Sequence, residues 1–332
     1  MRRIFQLLLL AVLLAVSAAG AFWWWASQPL SLAAETVEMS VPPGASLRTA
    51  ARKAVEGGVR AEETLLYAYF RLAANPDQTI KPGDYEITRG MTPQLLLDKL
   101  VRGDRIVLAV TLVEGWNFKQ VRAALARAEH LRPETRDMSS DAIMKALGLP
   151  GVHPEGRFFP DTYNYTKNTS DLAVLRQSLH LMDKQLAAAW EARSPGLPLK
   201  SASEALILAS IIEKETGAHG DRPEISGVFI NRLKIGMRLQ TDPTVIYGLG
   251  DKFDGNLRRT DLTTDTPWNT YTRAGLPPTP ISMPGRASLI AAVQPASTRS
   301  LYFVARGDGS SHFSGSLDEH NRAVNKYQRG IR

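Results

Sequence analysis

The 332-residue chain is 44% apolar and 22% charged, a composition typical of globular proteins, and its length allows two domains and a sizeable core. Its formal net charge of +7 is spread along the chain without a long Lys/Arg run, which argues against nucleic-acid binding and suits an anionic polymer or a membrane surface. The absence of cysteine excludes disulfides and thiol nucleophiles, and the six histidines lack metal-ligand spacing, so we expect neither a metal nor a cofactor.

Residues 1–33 are predicted to form a short cytoplasmic N-terminus and a transmembrane anchor. The run 5–26 carries no charge and is long enough to cross a bilayer core of about 30 Å as a helix. Arg2 and Arg3 precede this run, which places the N-terminus in the cytoplasm and the rest of the chain outside. A cleaved signal peptide is the alternative, because residues 19–21 read Ala-Gly-Ala. Either way, the bulk of the protein is exported.

Residues 34–105 are predicted to form a small α/β module in the order strand, helix, helix, strand, helix. Ser46 and Thr92 are suited to cap helices, and Pro93 fits the first turn of the last one. The predicted segments are 36–41, 46–56, 61–73, 80–87 and 92–100. The first four resemble a LysM module, because PPGASL (42–47) and IKPGDY (80–85) occupy the positions of its two glycine-bearing turns. That resemblance implies binding to peptidoglycan sugars, whereas an ordinary α/β packing domain carries the same signals.

Residues 106–332 are predicted to form a mixed α+β catalytic domain with long loops around a cleft. A strand is expected at 106–113, and two Pro/Gly-rich stretches, 269–285 and 301–321, are expected to be loops that wall the cleft. Helices are expected at about 118–128, 140–147, 170–193, 205–217 and in the region following 228. The overall expectation is an α+β fold.

The helix ALILASIIEKETG (205–217) carries two acids at its end, and helix geometry distinguishes them. Glu215 follows Ile212, Ile211 and Leu208 on the most apolar stripe, whereas Glu213 lies on a mixed face. A carboxyl at the end of an apolar wall is desolvated, which raises its pKa and suits a general acid near neutral pH. Solvated or ion-paired glutamates are the alternative.

The stretch EGRFFPDTYNYTKNT (155–169) places aromatic residues beside carboxylates and amides. Aromatic faces stack on sugar rings while polar groups bind hydroxyls, so Asp161 and Tyr163 are candidates for substrate contact. A well-packed loop uses the same residue types.

Five motifs in order resemble one family, the endolytic murein transglycosylases with the YceG-like domain. They are EGRFFPDTY, ASIIEKET, VFINRLKIGMRLQTDPTVIYG, NTYTRAGLPPTPI and the ending LYFVA with HxF and EHN, between Glu155 and Asn321. With the N-terminal anchor, the resemblance covers nearly the whole chain. It implies an inner-membrane lyase that cuts nascent glycan strands between N-acetylmuramic acid and N-acetylglucosamine, leaving 1,6-anhydro ends.

The resemblance also implies roles for particular residues. The family's catalytic acid is the second glutamate of the EKE element, which here is Glu215. Residues expected to bind the sugars or the peptide stem, or to orient those that do, are Glu213, Gln240, Thr241, Asp242, Asn269, Tyr271, His320 and Asn321. The expected partners are peptidoglycan glycan strands and the inner membrane, and the family's association with penicillin-binding proteins suggests peptidoglycan synthases.

Two other functions fit the same sequence. A hydrolase of the usual two-carboxylate kind needs a second acid, for which Asp161 and Asp242 are candidates. A membrane-tethered murein-binding scaffold would position synthases without cutting glycan.

Overall fold

The computed structural model describes residues 2–75, 77–215 and 219–330 of an α+β protein. The chain divides into two compact units, one formed by Met1–Leu108 with Tyr165–Asn168 and the other by Ala109–Asn164 with Thr169–Arg332.

The first unit begins with helix α1 (Arg2–Ala26), which is the predicted apolar segment. Its mean hydropathy of 2.4 over 18 residues makes it long and apolar enough to cross a membrane, the only such helix in the described ranges. Most of its side chains are exposed, but its last residue, Ala26, and Leu30 just beyond it belong to the core of the first unit. The backbone N–H of Leu30 donates to the carbonyl of Met91, and the ring of Trp23 lies edge-on to Tyr69.

The rest of the first unit follows the predicted order of strand, helix, helix, strand and helix. Strands β1 (Thr36–Val41) and β2 (Gly83–Thr88) pair antiparallel, with Met39 opposite Tyr85. Alternate residues of β1 point into the core, as period-two burial requires. The helices are α2 (Leu47–Glu56), α3 (Glu63–Ala73) and α4 (Pro93–Arg102). Ser46 and Thr92 cap α2 and α4 through their side chains, so both predicted caps are confirmed.

The remaining elements include one buried helix, α8, against which four other helices pack. The strands are β3 (Leu108–Thr111), β4 (Thr162–Tyr165), β5 (Tyr302–Ala305) and β6 (Ser311–Ser314), paired β3 with β4 and β5 with β6. The helices are α5 (Phe118–Arg127), α6 (Ser140–Ala146), α7 (Asp171–Glu191), α8 (Ala202–Glu215), α9 (Arg222–Lys234), α10 (Asp242–Leu249), α11 (Arg259–Thr263), α12 (Arg286–Val293) and α13 (Leu317–Tyr327). Helices α7, α9, α10 and α12 all contact α8, which is why it is buried on nearly every face.

Residues 269–285 are irregular, as predicted, but the prediction of a loop over residues 301–321 is wrong. This stretch forms the hairpin β5–β6 and the start of α13. The tight connection uses Gly307 and Gly309, both at positive φ, and Ser316 forms a capping box with Glu319 at the start of α13. The Gly and Ser residues of this stretch therefore mark one turn and one helix cap between short regular elements.

Candidate active site

Glu215 is the last residue of α8, and its carboxyl meets the start of α10. The hydroxyl of Thr241 donates a hydrogen bond to Oε1 of Glu215. Burial raises the pKa of Glu215 to about 7; the Thr241 hydrogen bond and the charge of Arg232 oppose this rise, and the charge of Asp242 adds to it. A carboxyl with this pKa is protonated in about half of the molecules at neutral pH, as a general acid requires.

A cavity of about 440 Å³ opens at this carboxyl. Its walls come from the ends of α8 and α9, the start of α10, the strand β5 and the helix α13. Seven of the residues predicted from sequence line it together: Glu215, Gln240, Thr241, Asp242, Tyr271, His320 and Asn321. These residues span more than a hundred positions in the chain, so the fold assembles one site from four separate motifs.

A second carboxylate lies in the same cavity. Asp242 is exposed, and the hydroxyl of Tyr271 donates to its Oδ1 at 2.6 Å. Burial, this hydrogen bond and the nearby carboxylates all raise the pKa of Tyr271, so it remains a neutral donor. The arrangement fixes Asp242 as an oriented acceptor beside Glu215.

Gln240 has a left-handed backbone, with φ of +48°, which is uncommon for a residue with a side chain. Its N–H donates to the carbonyl of Thr270, and the N–H of the next residue, Thr241, donates to Oγ1 of Thr270. These two bonds hold the turn that presents Thr241 and Asp242 to the cavity. Residues in such conformations often occur at functional sites.

Arg232 supplies a buried positive charge to the cavity. Its guanidinium is anchored by Nε to the carbonyl of Leu301 at 2.7 Å and by Nη1 to the carbonyl of Leu239 at 2.6 Å. It lies 5.3 Å from the centre of the Tyr302 ring, which in turn stacks on His320 at 5.2 Å. Burial and the charge of Arg232 lower the pKa of His320, so this imidazole is neutral at neutral pH. The lysine and arginine pattern of α9 gave no signal for this role, because the guanidinium reaches the site only in the fold.

Glu213 lies outside the lining of this cavity, in a buried ion pair. Its Oε1 is 3.1 Å from Nη2 of Arg222, and the two side chains are 5% and 4% exposed. Its Oε2 accepts from the N–H of Gly285 at 2.9 Å, just before α12. Glu213 therefore ties three segments of the core together and orients the end of α8.

Asn269 also lies outside the cavity lining and is fully buried. Its amide N–H groups donate to three carbonyls, those of Asp261, Leu262 and Thr264, and its carbonyl accepts from the N–H of Tyr271. These contacts close the loop 261–271 and place Tyr271 at the site, so Asn269 acts as an anchor for its neighbours.

Asp161 and Tyr163 lie at β4, again apart from this cavity. The exposed Asp161 accepts from the N–H of Thr162, and its backbone carbonyl accepts from Leu112 next to β3. Tyr163 is 2% exposed, and its hydroxyl donates to the carbonyl of Phe159. In the described contacts both residues stabilise the strand pair and the turn before it.

Comparison with known proteins identifies the family of this chain. The sequence profile of the YceG-like family matches residues 39–326, which is most of the chain. The protein belongs to the YceG-like family.

Named relatives of this YceG-like protein point to one activity. The endolytic murein transglycosylase of Bacillus subtilis (strain 168) is 32% identical over 315 residues, covering 88% of this chain and 85% of the relative. A protein of the same name from Streptococcus pneumoniae serotype 2 is 25% identical, covering 87% of this chain and 58% of its own length. A crystal structure of a yceG-like protein from Listeria monocytogenes aligns with a TM-score of 0.55 and 29% identity over 87% of this chain and 98% of that one.

The YceG-like region contains a second perturbed acid, Glu155, which sequence reasoning missed. It is 3% exposed, accepts from the N–H of Phe118 at 3.0 Å and from the hydroxyl of Tyr247 at 3.0 Å. Burial raises its pKa to about 7, and these hydrogen bonds partly oppose the rise. Glu155 is the first residue of the motif EGRFFPDTY. The motif has no helical spacing of apolar residues that would indicate burial of this acid.

Within residues 2–75, 77–215 and 219–330, no group of three His, Asp or Glu side chains has the arrangement of a metal site.

Proposed function

We propose that this YceG-like protein is an endolytic murein transglycosylase that cuts glycan strands between N-acetylmuramic acid and N-acetylglucosamine. The observation that carries the proposal is the carboxyl of Glu215, half-buried at a cavity with a pKa raised to about 7. The names of the Bacillus and Streptococcus relatives support the same substrate and the same reaction class.

In the proposed reaction, the protonated Glu215 gives its proton to the glycosidic oxygen, and the bond from that oxygen to the anomeric carbon of muramic acid breaks. The resulting Glu215 carboxylate is stabilised by the Thr241 hydroxyl and by the charge of Arg232. It then takes the proton of the muramic acid 6-hydroxyl while that oxygen bonds to the anomeric carbon. The product is a 1,6-anhydro end, and Glu215 is protonated again for the next cycle.

Hydrolysis is the second candidate reaction, and Asp242 is the observation that favours it. A hydrolase needs a carboxylate that activates water or bonds to the sugar, and Asp242 is the second carboxylate of the Glu215 cavity. In this reaction the oxygen that reaches the anomeric carbon comes from water, so the product has a reducing end.

The test digests purified glycan strands in H₂¹⁸O and analyses the ends by mass spectrometry. Anhydro ends without ¹⁸O support the transglycosylase, and ¹⁸O-labelled reducing ends overturn it in favour of the hydrolase. Glu215→Gln is expected to abolish cleavage, while Glu191→Gln, on an exposed glutamate at the end of α7, is the matched control that retains it. If Glu215→Gln still releases anhydro ends, Glu215 is not the acid. If the unmodified protein and the variant both bind glycan strands and neither cuts them, the protein is a murein-binding scaffold.

The proposal extends to location and to the first unit. Helix α1 anchors the protein in the inner membrane, with Arg2 and Arg3 on the cytoplasmic side and the catalytic region on the outer side. Residues 1–33, 34–105 and 106–332 then serve as anchor, LysM-like glycan-binding module and catalytic domain, next to the synthases that supply nascent strands. Protease treatment of intact spheroplasts should degrade the catalytic region, and its protection would contradict this orientation.

A further inference from the structure

A second cavity, here named the Trp268 cavity, lies apart from the carboxyl of Glu215. It has a volume of about 720 Å³, within the range of small-molecule sites in proteins. Its lining comes from the start of α5, the end of α8, the body of α10 and the residues before α12, and includes Gln120, Glu155, Lys214, Tyr247, Asp251 and Trp268.

The aromatic wall of the Trp268 cavity has its polar atoms already bonded within the protein. The Tyr247 hydroxyl donates to Glu155, and Nε1 of Trp268 donates to the hydroxyl of Thr279 at 2.9 Å. The two rings pack edge to face with centres 5.5 Å apart. The wall is therefore a rigid apolar surface, suited to aliphatic parts of a ligand rather than to hydrogen bonding.

Among the residues that the structure describes, the charges around the Trp268 cavity leave one lysine without a counter-ion. Lys119 pairs with Asp251 at 2.7 Å, and burial raises the pKa of Glu155 so that this carboxyl is half neutral near pH 7. Lys214 is exposed, and within residues 2–75, 77–215 and 219–330 its ammonium makes one long bond of 3.4 Å, to the carbonyl of Gly115. An ammonium with unused donors beside an apolar wall matches a carboxylate on an aliphatic chain.

Two pairs of consecutive residues connect this cavity to the Glu215 cavity. Lys214 and Pro243 line the Trp268 cavity, while the adjacent Glu215 and Asp242 line the other. Because neighbouring Cα atoms lie about 3.8 Å apart, the linings of the two cavities adjoin at both places. In murein, the muramic acid carries an acidic peptide on its lactyl group, close to the bond that is cut.

We propose that the Trp268 cavity binds the acidic stem peptide of the murein unit held at Glu215, with Lys214 pairing with a peptide carboxylate and the Tyr247–Trp268 wall contacting its aliphatic side chains. This inference rests on the proposed function. It assigns Lys214 to the recognition of the stem peptide, whereas Glu215 performs the proton transfers of the proposed reaction.

The test compares glycan strands that bear stem peptides with the same strands after an amidase has removed the peptides. Lys214→Gln is expected to raise KM about fivefold on peptide-bearing strands, about 1 kcal/mol, without changing KM on denuded strands or kcat on either. Lys214→Arg should restore most of the loss. Lys234→Gln, on an exposed lysine at the end of α9, is the matched control and should change neither substrate's KM. An equal rise in KM on both substrates, or no rise on either, overturns the proposal.

A binding measurement separates this inference from the proposed function. The free acidic tetrapeptide is titrated into the full-length protein in detergent and followed by calorimetry, which requires no cleavage. Binding that weakens in Lys214→Gln but not in Lys234→Gln supports the peptide site even if no strand is cut. Absence of binding to the unmodified protein contradicts it, even if strands are cut as proposed. Thermal melting of each variant shows whether it is folded.

Discussion

Removing the hydroxyl of Thr241 is expected to move the pH range in which the enzyme is active. Thr241→Val keeps the β-branched shape of this buried side chain but removes the donor to Glu215. That hydrogen bond stabilises the charged form of the carboxyl and lowers its pKa, so its loss raises the pKa further. Hydrogen bonds to charged groups contribute about 1.5–3 kcal/mol, which corresponds to roughly one to two pKa units.

The sign of the effect follows from the role that we propose for Glu215 as a general acid. Activity needs the protonated form, so kcat/KM of the unmodified enzyme should fall as the pH rises through about 7. In Thr241→Val the same fall should occur about one unit or more higher, near pH 8 or above. At pH 8 the protonated fraction then rises from about one tenth to about one half, which partly offsets any loss of orientation.

The assay measures kcat/KM for glycan cleavage between pH 5 and 9, and the position of the alkaline limb is the readout rather than the plateau. Thr244→Val is the matched control, since its buried hydroxyl donates to the carbonyl of Thr241 and leaves the donor to Glu215 in place. If the alkaline limb of the pH profile stays at the same pH in Thr241→Val, or moves to lower pH, then Glu215 is not an acid whose pKa is lowered by this hydroxyl.

Three further predictions concern stability, measured by urea unfolding or thermal melting of the full chain. The pKa of Glu155 is raised from 4.5 to about 7 in the folded protein, so its contribution to stability is greatest below pH 4.5 and falls by roughly 3 kcal/mol as the pH rises to about 7. Glu155→Gln should lack this decline. If the variant and the unmodified protein show the same dependence of stability on pH, the prediction is contradicted. Asn269→Ala leaves three loop carbonyls without their donor and should cost about 2–4 kcal/mol, together with lower activity through displacement of Tyr271. Glu213→Gln removes the negative charge of the buried pair with Arg222 and should cost about 3–5 kcal/mol; a loss below about 1 kcal/mol would show that the pair is not stabilising.

The elements of the first unit were predicted well because helix caps and strand alternation are each encoded within a few consecutive residues. Ser46 and Thr92 cap helices through their own side chains, and the alternation of β1 is visible over six residues. The helices α10 and α12, of eight residues each, were not predicted. In the stretch after Leu301, the Gly and Ser residues indicated a loop, although they belong to the turn and the cap of regular elements.

The candidate site was predictable in part. Helical geometry together with the family motifs selected Glu215 and the residues around it. The stripe argument for Glu215 was incomplete, however, because α8 is buried on nearly every face, and the side chain of Glu213 on the mixed face is also buried, at 5% exposure. Arg232 and Glu155 escaped prediction because their surroundings come from distant segments, the strand β5 for one and the helices α5 and α10 for the other. Sequence shows which residues are acidic or basic, but desolvation is a property of the folded neighbourhood.

The burial of Ala26 and Leu30 in the first unit has a mechanical consequence. With α1 in the bilayer, the first unit is joined to its anchor through its own hydrophobic core rather than through a flexible tether. A stiff attachment restricts the height above the lipid at which this unit can meet glycan and reduces the entropy lost when it does so. Strands still attached to the membrane would be within its reach, whereas mature wall farther out would not. The anchor would then select substrate by distance, before any residue of the cavity has made contact.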